Sequence, residues 1–177
     1  MSGDERLRLF CALRIPEATI SALVPWQLAN LRDGRIVPPE NLHVTLAFLG
    51  SRPASDTTAV VEALESAALG AEQIRLRVRG YVETRSVGML ALTDEGDRAQ
   101  ALAEQLHERL ESLGLYRREA RPWLPHLTVL RFRDRPKLSP PLPALGEIAP
   151  SDAAVFISRL RSGGARYDVV EAVGLGG

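Results

Sequence analysis

Two of the chain's three histidines stand in matching sequence frames. His43 opens the run His-Val-Thr-Leu at 43–46, and His126 opens the run His-Leu-Thr-Val at 126–129. An imidazole has an ordinary pKa of about 6.5, so near neutral pH one ring can accept a proton while another donates one. Opening a phosphodiester with water needs both roles, and each proton transfer contributes roughly 10²- to 10⁴-fold in rate. The frames therefore predict acid–base chemistry on a phosphate, with His43 and His126 as the catalytic pair.

A threonine follows each of these histidines by two residues, as Thr45 and Thr128. Because side chains alternate faces along a β-strand, each threonine shares a face with its histidine, and the apolar residues between them face the other way. A threonine hydroxyl can donate to a non-bridging phosphate oxygen as charge develops there. One His-x-Thr run carries no signal, but two in matching frames, each led in by prolines, indicate a functional pair.

Other chemistries fit these residues less well. No Asp or Glu lies next to either histidine on its strand, so a nucleophilic triad is disfavoured. Two histidines with threonines lack the third protein ligand of a catalytic zinc, so we expect neither a metal nor a cofactor. The third histidine, His107, lies between Leu106 and Glu108 in a helical run. We predict that it is a solvated residue on the polar side of that helix.

Composition describes an ordinary globular chain of 177 residues. Lys+Arg and Asp+Glu are balanced at 22 each, so no overall basic field attracts a polyanion. The single cysteine, Cys11, lies in an apolar run and is predicted to be a buried, inert thiol, which suits a reducing cytoplasm. No apolar run has the length of a membrane span. We expect one compact domain over residues 1–177, in the cytoplasm and as a monomer.

Hydrophobic periodicity supplies the elements that position the histidines. The pattern predicts strands near 7–14, 36–37, 43–50, 73–83, 88–93, 126–133, 153–161 and 167–175, and helices near 17–32, 55–70 and 94–114. Pro25 is expected to kink or split the first helix, and Asp94 to cap the third. This order suggests an internal duplication. The predicted fold is α+β with two lobes related by a pseudo-twofold axis, whose antiparallel sheets face a central cleft with helices outside.

Longer stretches around the two frames carry a specific resemblance. The opening strand at 9–13, the run 37–50, the segment 122–131 and the closing stretch 158–167 resemble the 2H phosphoesterase superfamily. They are most similar to the bacterial and archaeal RNA 2′,3′-cyclic phosphodiesterases, also called 2′-5′ RNA ligases. The likeness extends over nearly the whole chain. Residues 84–88 depart from it, since relatives often carry a proline and an aromatic residue there, and this bears on substrate preference.

The resemblance implies that His43 is the proton donor and His126 the acceptor in hydrolysis of an RNA 2′,3′-cyclic phosphate end, or a small cyclic nucleotide, to a 2′-phosphomonoester. It also implies that Phe48 lies beside a base and that Arg131 grips the phosphate. Strict alternation puts both residues on the face opposite their histidines, five positions on, so a bulge or strand end is needed to turn them. Otherwise Phe48 is a core aromatic and Arg131 a surface charge.

Two other functions remain open at this point. One is the reverse chemistry, a ligase joining RNA ends through a 2′-5′ linkage. The other is a nucleotide- or RNA-binding module that does not turn over its ligand. The intact His-x-Thr frames argue against the binding module, because a protein that only binds has no need of two titrating imidazoles.

Overall fold

The computed structural model describes residues 4–176. Eight strands are present: β1 (Arg6–Arg14), β2 (Arg35–Ile36), β3 (His43–Pro53), β4 (Leu76–Glu83), β5 (Val87–Asp94), β6 (His126–Arg131), β7 (Asp152–Arg161) and β8 (Gly164–Gly174). Three α-helices are present: α1 (Glu17–Asn30), α2 (Thr57–Leu69) and α3 (Arg98–Ser112). Short 3₁₀ turns precede β3, α2 and α3.

The strands form two four-stranded sheets. Sheet A has the order β3-β1-β7-β8 and sheet B the order β2-β6-β5-β4. Every neighbouring pair is antiparallel, which confirms the predicted α+β class with two antiparallel sheets. The two lobes are not the two halves of the chain, however. Sheet A takes strands from both ends of the sequence and sheet B from its middle, because β2 joins sheet B before the chain returns to sheet A in β3.

Alternation along β1 separates a buried core from a second, smaller apolar cluster. Leu9, Cys11 and Leu13 are fully buried in the main core, which also contains the apolar faces of the helices. Phe10 and Ala12 point to the opposite face of sheet A and belong to the smaller cluster. Burial raises the pKa of the Cys11 thiol to about 12, so it stays protonated and unreactive, as the sequence predicted.

Of the two outcomes expected at Pro25, a kink or a split of the first helix, the structure excludes the split, and it supports the cap expected for the third helix. Pro25 lies inside α1 without splitting it. Leu23 and Gln27, on either side of the proline, are 0% and 1% exposed, so packing against the core holds the helix together despite its poor local propensity. Asp94 accepts hydrogen bonds from the backbone N–H groups of Ala99 and Gln100 and so caps the start of α3.

The prediction for His107 is wrong. Its side chain is 4% exposed, and Nε2–H donates to the carbonyl oxygen of Leu46 at 2.7 Å. The ring also packs on Tyr116, with a centroid separation of 4.9 Å. The buried face of α3 is wider than its leucine stripe, because the fully buried Ala99 and Ala103 precede His107 at four-residue intervals on the same side.

Within residues 4–176, each helix is too short or too polar to traverse a lipid bilayer.

Candidate active site

The two histidine strands lie in different sheets and meet across the cleft. β3 is an edge strand of sheet A, and β6 lies between β2 and β5 in sheet B. A hydrogen bond joins the two motifs: Nε1–H of Trp123, just ahead of β6, donates to the carbonyl oxygen of Thr45 at 3.0 Å. Burial is the largest influence that lowers the pKa of His43, and electrostatic repulsion from Arg131 and from His126 adds to it, so both residues lie near its ring. The predicted residues of both frames are thus brought together in one cleft.

Both imidazoles are held by the same kind of backbone contact. Nδ1–H of His43 donates to the carbonyl oxygen of Asn41 at 2.7 Å, and Nδ1–H of His126 donates to that of Leu124 at 3.1 Å. In each case the acceptor lies two residues earlier, in the turn set up by the prolines. Since a carbonyl oxygen can only accept, this contact assigns the proton of the neutral ring to Nδ1 and leaves Nε2 for chemistry.

The free cleft favours a neutral His43. Burial, together with the nearby charges of Arg131 and His126, lowers the pKa of its imidazole to about 4, against the opposing effect of the Asn41 carbonyl. Nε2 accepts a hydrogen bond from the Thr45 hydroxyl at 2.9 Å, as a neutral ring can. At neutral pH the ring therefore carries a second proton only when something in the cleft favours the charged form.

A β-bulge in β3 turns Phe48 toward the face of His43. In the ladder between β1 and β3, Ala12 lies opposite Thr45. The preceding residue of β1, Cys11, lies opposite Ala47, so Leu46 is an extra residue with no counterpart in β1. The extra residue reverses the alternation, and the Phe48 ring lies 50% exposed in the cleft rather than in the core.

The equivalent bulge occurs in β6. Met89 lies opposite Thr128, and the preceding residue, Gly88, lies opposite Leu130. Val129 is therefore the extra residue, three positions after its histidine, as Leu46 is in β3. The bulge places the exposed Arg131 on the same face as Thr128 and His126, where its charge acts on His43. Both candidate binding residues thus face the cleft, through the bulges that strict alternation required.

An aromatic cluster around His43 was not predicted from the sequence. The Phe10 ring lies 5.0 Å from the His43 ring and stacks on Phe156 at 4.9 Å, with an angle of 9° between the planes. Tyr167 meets His43 edge-on at 5.4 Å. Phe48 stacks on the other side of this cluster, 6.5 Å from Phe10. Period-2 alternation in β1 could have identified Phe10, but the pairing that brings in β7 and β8 is a long-range contact.

A cavity of about 400 Å³ opens beside His43, and Phe48 is not among the residues that line it. Its lining includes Phe156 and Tyr167, and also an ion pair in which Arg14 Nε donates to Asp152 Oδ1 at 2.8 Å. The lining is mixed, because the carboxylates of Glu17 and Glu40 lie in it together with the aromatic side chains. This volume is in the range of small-molecule sites.

The two motifs contribute imidazoles, hydroxyls and the guanidinium of Arg131 to the cleft. Within residues 4–176, no three His, Cys, Asp or Glu side chains gather as a potential metal-ligand set. Hydroxyls and a guanidinium are donors suited to phosphate oxygens. The arrangement can therefore bind a phosphate and offer two proton-transfer groups to it.

Comparison with known proteins agrees with this geometry. The family model of the 2′-5′ RNA ligase superfamily matches residues 15–161, which include both histidine frames. The RNA 2′,3′-cyclic phosphodiesterase of Thermus thermophilus is 30% identical, over 97% of this chain and 91% of the relative. The protein of the same name from Escherichia coli is 28% identical, over 93% of this chain and 94% of the relative.

A solved structure shows the same architecture. The crystal structure of TT0787 of Thermus thermophilus superposes with a TM-score of 0.83 at 30% identity, over 96% of this chain and 98% of that one. Family match, sequence relatives and solved structure all span most of the molecule. The chain therefore belongs to the 2′-5′ RNA ligase superfamily of 2H phosphoesterases.

Proposed function

We propose that the enzyme hydrolyses the 2′,3′-cyclic phosphate at an RNA end to a 2′-phosphomonoester, using His43 and His126 as proton donor and acceptor. One observation carries the proposal: two imidazoles share a cleft, each with Nδ1–H held by a backbone carbonyl so that Nε2 serves the substrate. The names of the relatives from Thermus thermophilus and Escherichia coli support the substrate class.

In this mechanism the water attacks phosphorus from the side opposite the leaving oxygen. His126 takes the water's proton as the new P–O bond forms. The bond from phosphorus to the ribose 3′ oxygen breaks, and His43 gives that oxygen its proton. The hydroxyls of Thr45 and Thr128 and the guanidinium of Arg131 donate to the non-bridging oxygens, where negative charge builds up.

The protonation state of His43 is the demanding step of this scheme. Its low pKa keeps the ring neutral in the empty cleft at pH 7. A bound phosphate diester places a negative charge among the groups that lower this pKa, and so favours the imidazolium. We infer that the substrate itself loads His43 with the proton that the leaving oxygen needs.

The aromatic cluster supplies the surface for a nucleoside. Phe48 offers an exposed ring face near the motif, and the guanidinium of Arg8 lies over that ring at 5.3 Å from its centroid. A nucleobase could stack on the Phe48 ring, and the guanidinium charge of Arg8 lies next to that position. We propose this position for the base next to the cyclic phosphate.

Catalysis in this scheme needs no metal or cofactor, since the protein supplies both proton-transfer groups. We further propose that the enzyme acts as a monomer in the cytoplasm, on RNA ends or small cyclic nucleotides. In the 2′-5′ ligase reaction a 5′ hydroxyl takes the place of water. His126 would take its proton as the new P–O bond forms, the bond from phosphorus to the ribose 3′ oxygen would break, and His43 would protonate that oxygen, which leaves a 2′-5′ linkage.

A product analysis tests the proposal. We expect an RNA oligonucleotide with a 2′,3′-cyclic phosphate end to give a single 2′-phosphomonoester, identified by ³¹P NMR and by chromatography against both isomers. A 3′-phosphate would reverse the roles of the two histidines, and a mixture would contradict a fixed in-line geometry. Supplying a second oligonucleotide with a 5′ hydroxyl tests for joining. Tight binding without turnover would establish the binding module instead.

A further inference from the structure

We propose that His107 and Gln27 are positioning residues that hold the two active-site bulges, one in each lobe. His107 of α3 donates Nε2–H to the carbonyl oxygen of Leu46 at 2.7 Å. Gln27 of α1 donates Nε2–H to the carbonyl oxygen of Val129 at 3.0 Å. Leu46 and Val129 are the extra residues of the bulges in β3 and β6. Two unrelated helices thus place a buried donor on the same backbone position of each motif.

Burial makes these two contacts stand out. In the part of the chain that the structure describes, the buried polar side chains are Thr19, Gln27 and His107, at 7%, 1% and 4% exposure. A buried donor costs free energy unless it is hydrogen-bonded, so a polar residue in a core needs a specific partner. For two of the three, that partner is the carbonyl group of a bulge residue in a histidine motif.

A bulge needs such support because its extra residue lies outside the regular ladder. Without the extra residue at Leu46, alternation would turn Phe48 into the core and break its relation to His43. Without the one at Val129, Arg131 would turn away from the phosphate site. The Val129 carbonyl also accepts from the backbone N–H of Val37 at 3.1 Å, and Gln27 donates to the carbonyl oxygen of Val37 at 3.1 Å. Gln27 therefore fastens the β6 bulge to the residue that follows β2.

Each lobe should respond to the loss of its own donor. Loss of the His107 imidazole should disturb the half-site in the lobe of sheet A, which consists of His43, Thr45 and Phe48. The half-site in the lobe of sheet B, which contains His126, should stay intact. Loss of the Gln27 amide should disturb the half-site of His126 and leave that of His43 intact. A general loss of stability would affect both half-sites alike. An effect confined to one half-site therefore distinguishes a positioning role from structural support.

Imidazole NMR provides the readout. We would record ¹H–¹⁵N spectra of the ring signals in His107→Leu and Gln27→Met, where Met keeps the length of Gln without its donor. Leu106→Val on α3 and Leu23→Val on α1 serve as matched controls, since both leucines are fully buried in the core. We expect His107→Leu to move only the His43 signals, Gln27→Met only those of His126, and the controls to move neither.

Kinetics and a conservative variant complete the test. We expect His107→Leu and Gln27→Met to lower kcat/KM for a 2′,3′-cyclic nucleotide about 10-fold, and the controls less than 2-fold. His107→Gln should recover most of the activity, because the Gln amide nitrogen lies four bonds from Cα, as the imidazole Nε2 does. His107→Asn, one bond shorter, should not recover it, and this polar pair keeps the test usable if the Leu variant does not fold.

The kinetic readout rests on the proposed function, but the NMR readout does not. If the wild-type protein fails to open cyclic phosphates, the lobe-specific shifts still decide the positioning roles. Shifts of both histidines in every variant, or of neither in the two donor variants, would overturn the inference. So would equal activity in His107→Asn and His107→Gln.

Discussion

Binding of a tetrahedral dianion should load a proton onto His43. In the free protein, burial and the charges of Arg131 and His126 hold the pKa of this imidazole at about 4. At pH 7 that leaves on the order of one ring in 10³ protonated. Such a low fraction of the acid form would slow the protonation of the leaving oxygen in proportion, unless the bound substrate raises it. We propose to add sulfate as the test anion, because it stays a dianion over the whole pH range in which His43 would be titrated.

The magnitude follows from Coulomb's law. A unit negative charge about 5 Å from Nε2, at an effective dielectric constant of about 20, stabilises the imidazolium by about 3 kcal/mol. Since 1.36 kcal/mol is tenfold in a protonation equilibrium, the proton affinity of His43 should rise roughly 10²-fold. About one ring in ten is then charged at pH 7, in place of about one in 10³. The hydroxyl of Thr45 can no longer donate to the charged ring, so its hydrogen becomes free to donate to the anion.

The assay is an NMR titration of the imidazole Cε1–H signals from pH 3.5 to 8, with and without saturating sulfate. We expect the His43 midpoint to move strongly upward with sulfate. In Arg131→Leu without sulfate it should also move upward, because a charge that lowers this pKa is gone.

A His43 midpoint that stays near 4 at saturating sulfate would refute the reasoning, and with it the role of His43 as the acid. A rise at His126 alone would assign the acid to the other lobe. Calorimetry in buffers of different ionisation enthalpy measures proton uptake independently, and sulfate binding without any uptake would also exclude a proton loaded onto His43.

Further predictions test the remaining roles. His43→Ala and His126→Ala should each lower kcat at least 10²-fold while the circular dichroism spectrum is unchanged, and near wild-type turnover in either would remove that histidine from the mechanism. Thr45→Ala and Thr128→Ala should cost about 10-fold in kcat/KM; if neither changes the kinetics, the threonines do not grip the phosphate. EDTA should leave activity unchanged, and a loss restored by a divalent ion would contradict metal independence. Because the folded-state pKa of His43 lies below the value of about 6.5 expected in the unfolded chain, the unfolded state takes up the proton first as pH falls. Between pH 6.5 and 4 the free energy of unfolding of the wild type should therefore fall by up to about 3 kcal/mol more than that of His43→Ala. Denaturation experiments in which the free energies of unfolding of the two proteins change equally with pH would exclude this.

The parts of the site that the sequence predicted are those set by local spacing. A histidine and a threonine two residues apart share a strand face whatever the strand pairs with, so the frames at 43–46 and 126–129 were readable. The same local logic left Phe48 and Arg131 on the wrong face. Only the register of β1 against β3, and of β5 against β6, creates the bulges that turn them. Register is a property of two distant segments, and no spacing within one of them specifies it.

His107 shows the same limit in a helix. Its neighbours Leu106 and Glu108 suggested the edge of a polar face, and the leucine stripe was correct. What the helix meets on that side, the carbonyl group of the bulge residue Leu46, belongs to a strand 61 residues away in sequence. A buried polar residue is explained by its partner, so it cannot be distinguished from an exposed one until the partner is known.

The pseudo-symmetry of the site raises the question of how two equal frames give a directed reaction. Both rings carry the same tautomer, set by carbonyl groups at equivalent positions. Their surroundings differ, because the hairpin of β7 and β8 packs Phe156 and Tyr167 around His43. Apolar rings remove water from that imidazole and lower its pKa, and different environments for like groups are how a site separates an acid from a base. In this enzyme the separation would come from the C-terminal hairpin, which belongs to sheet A alone.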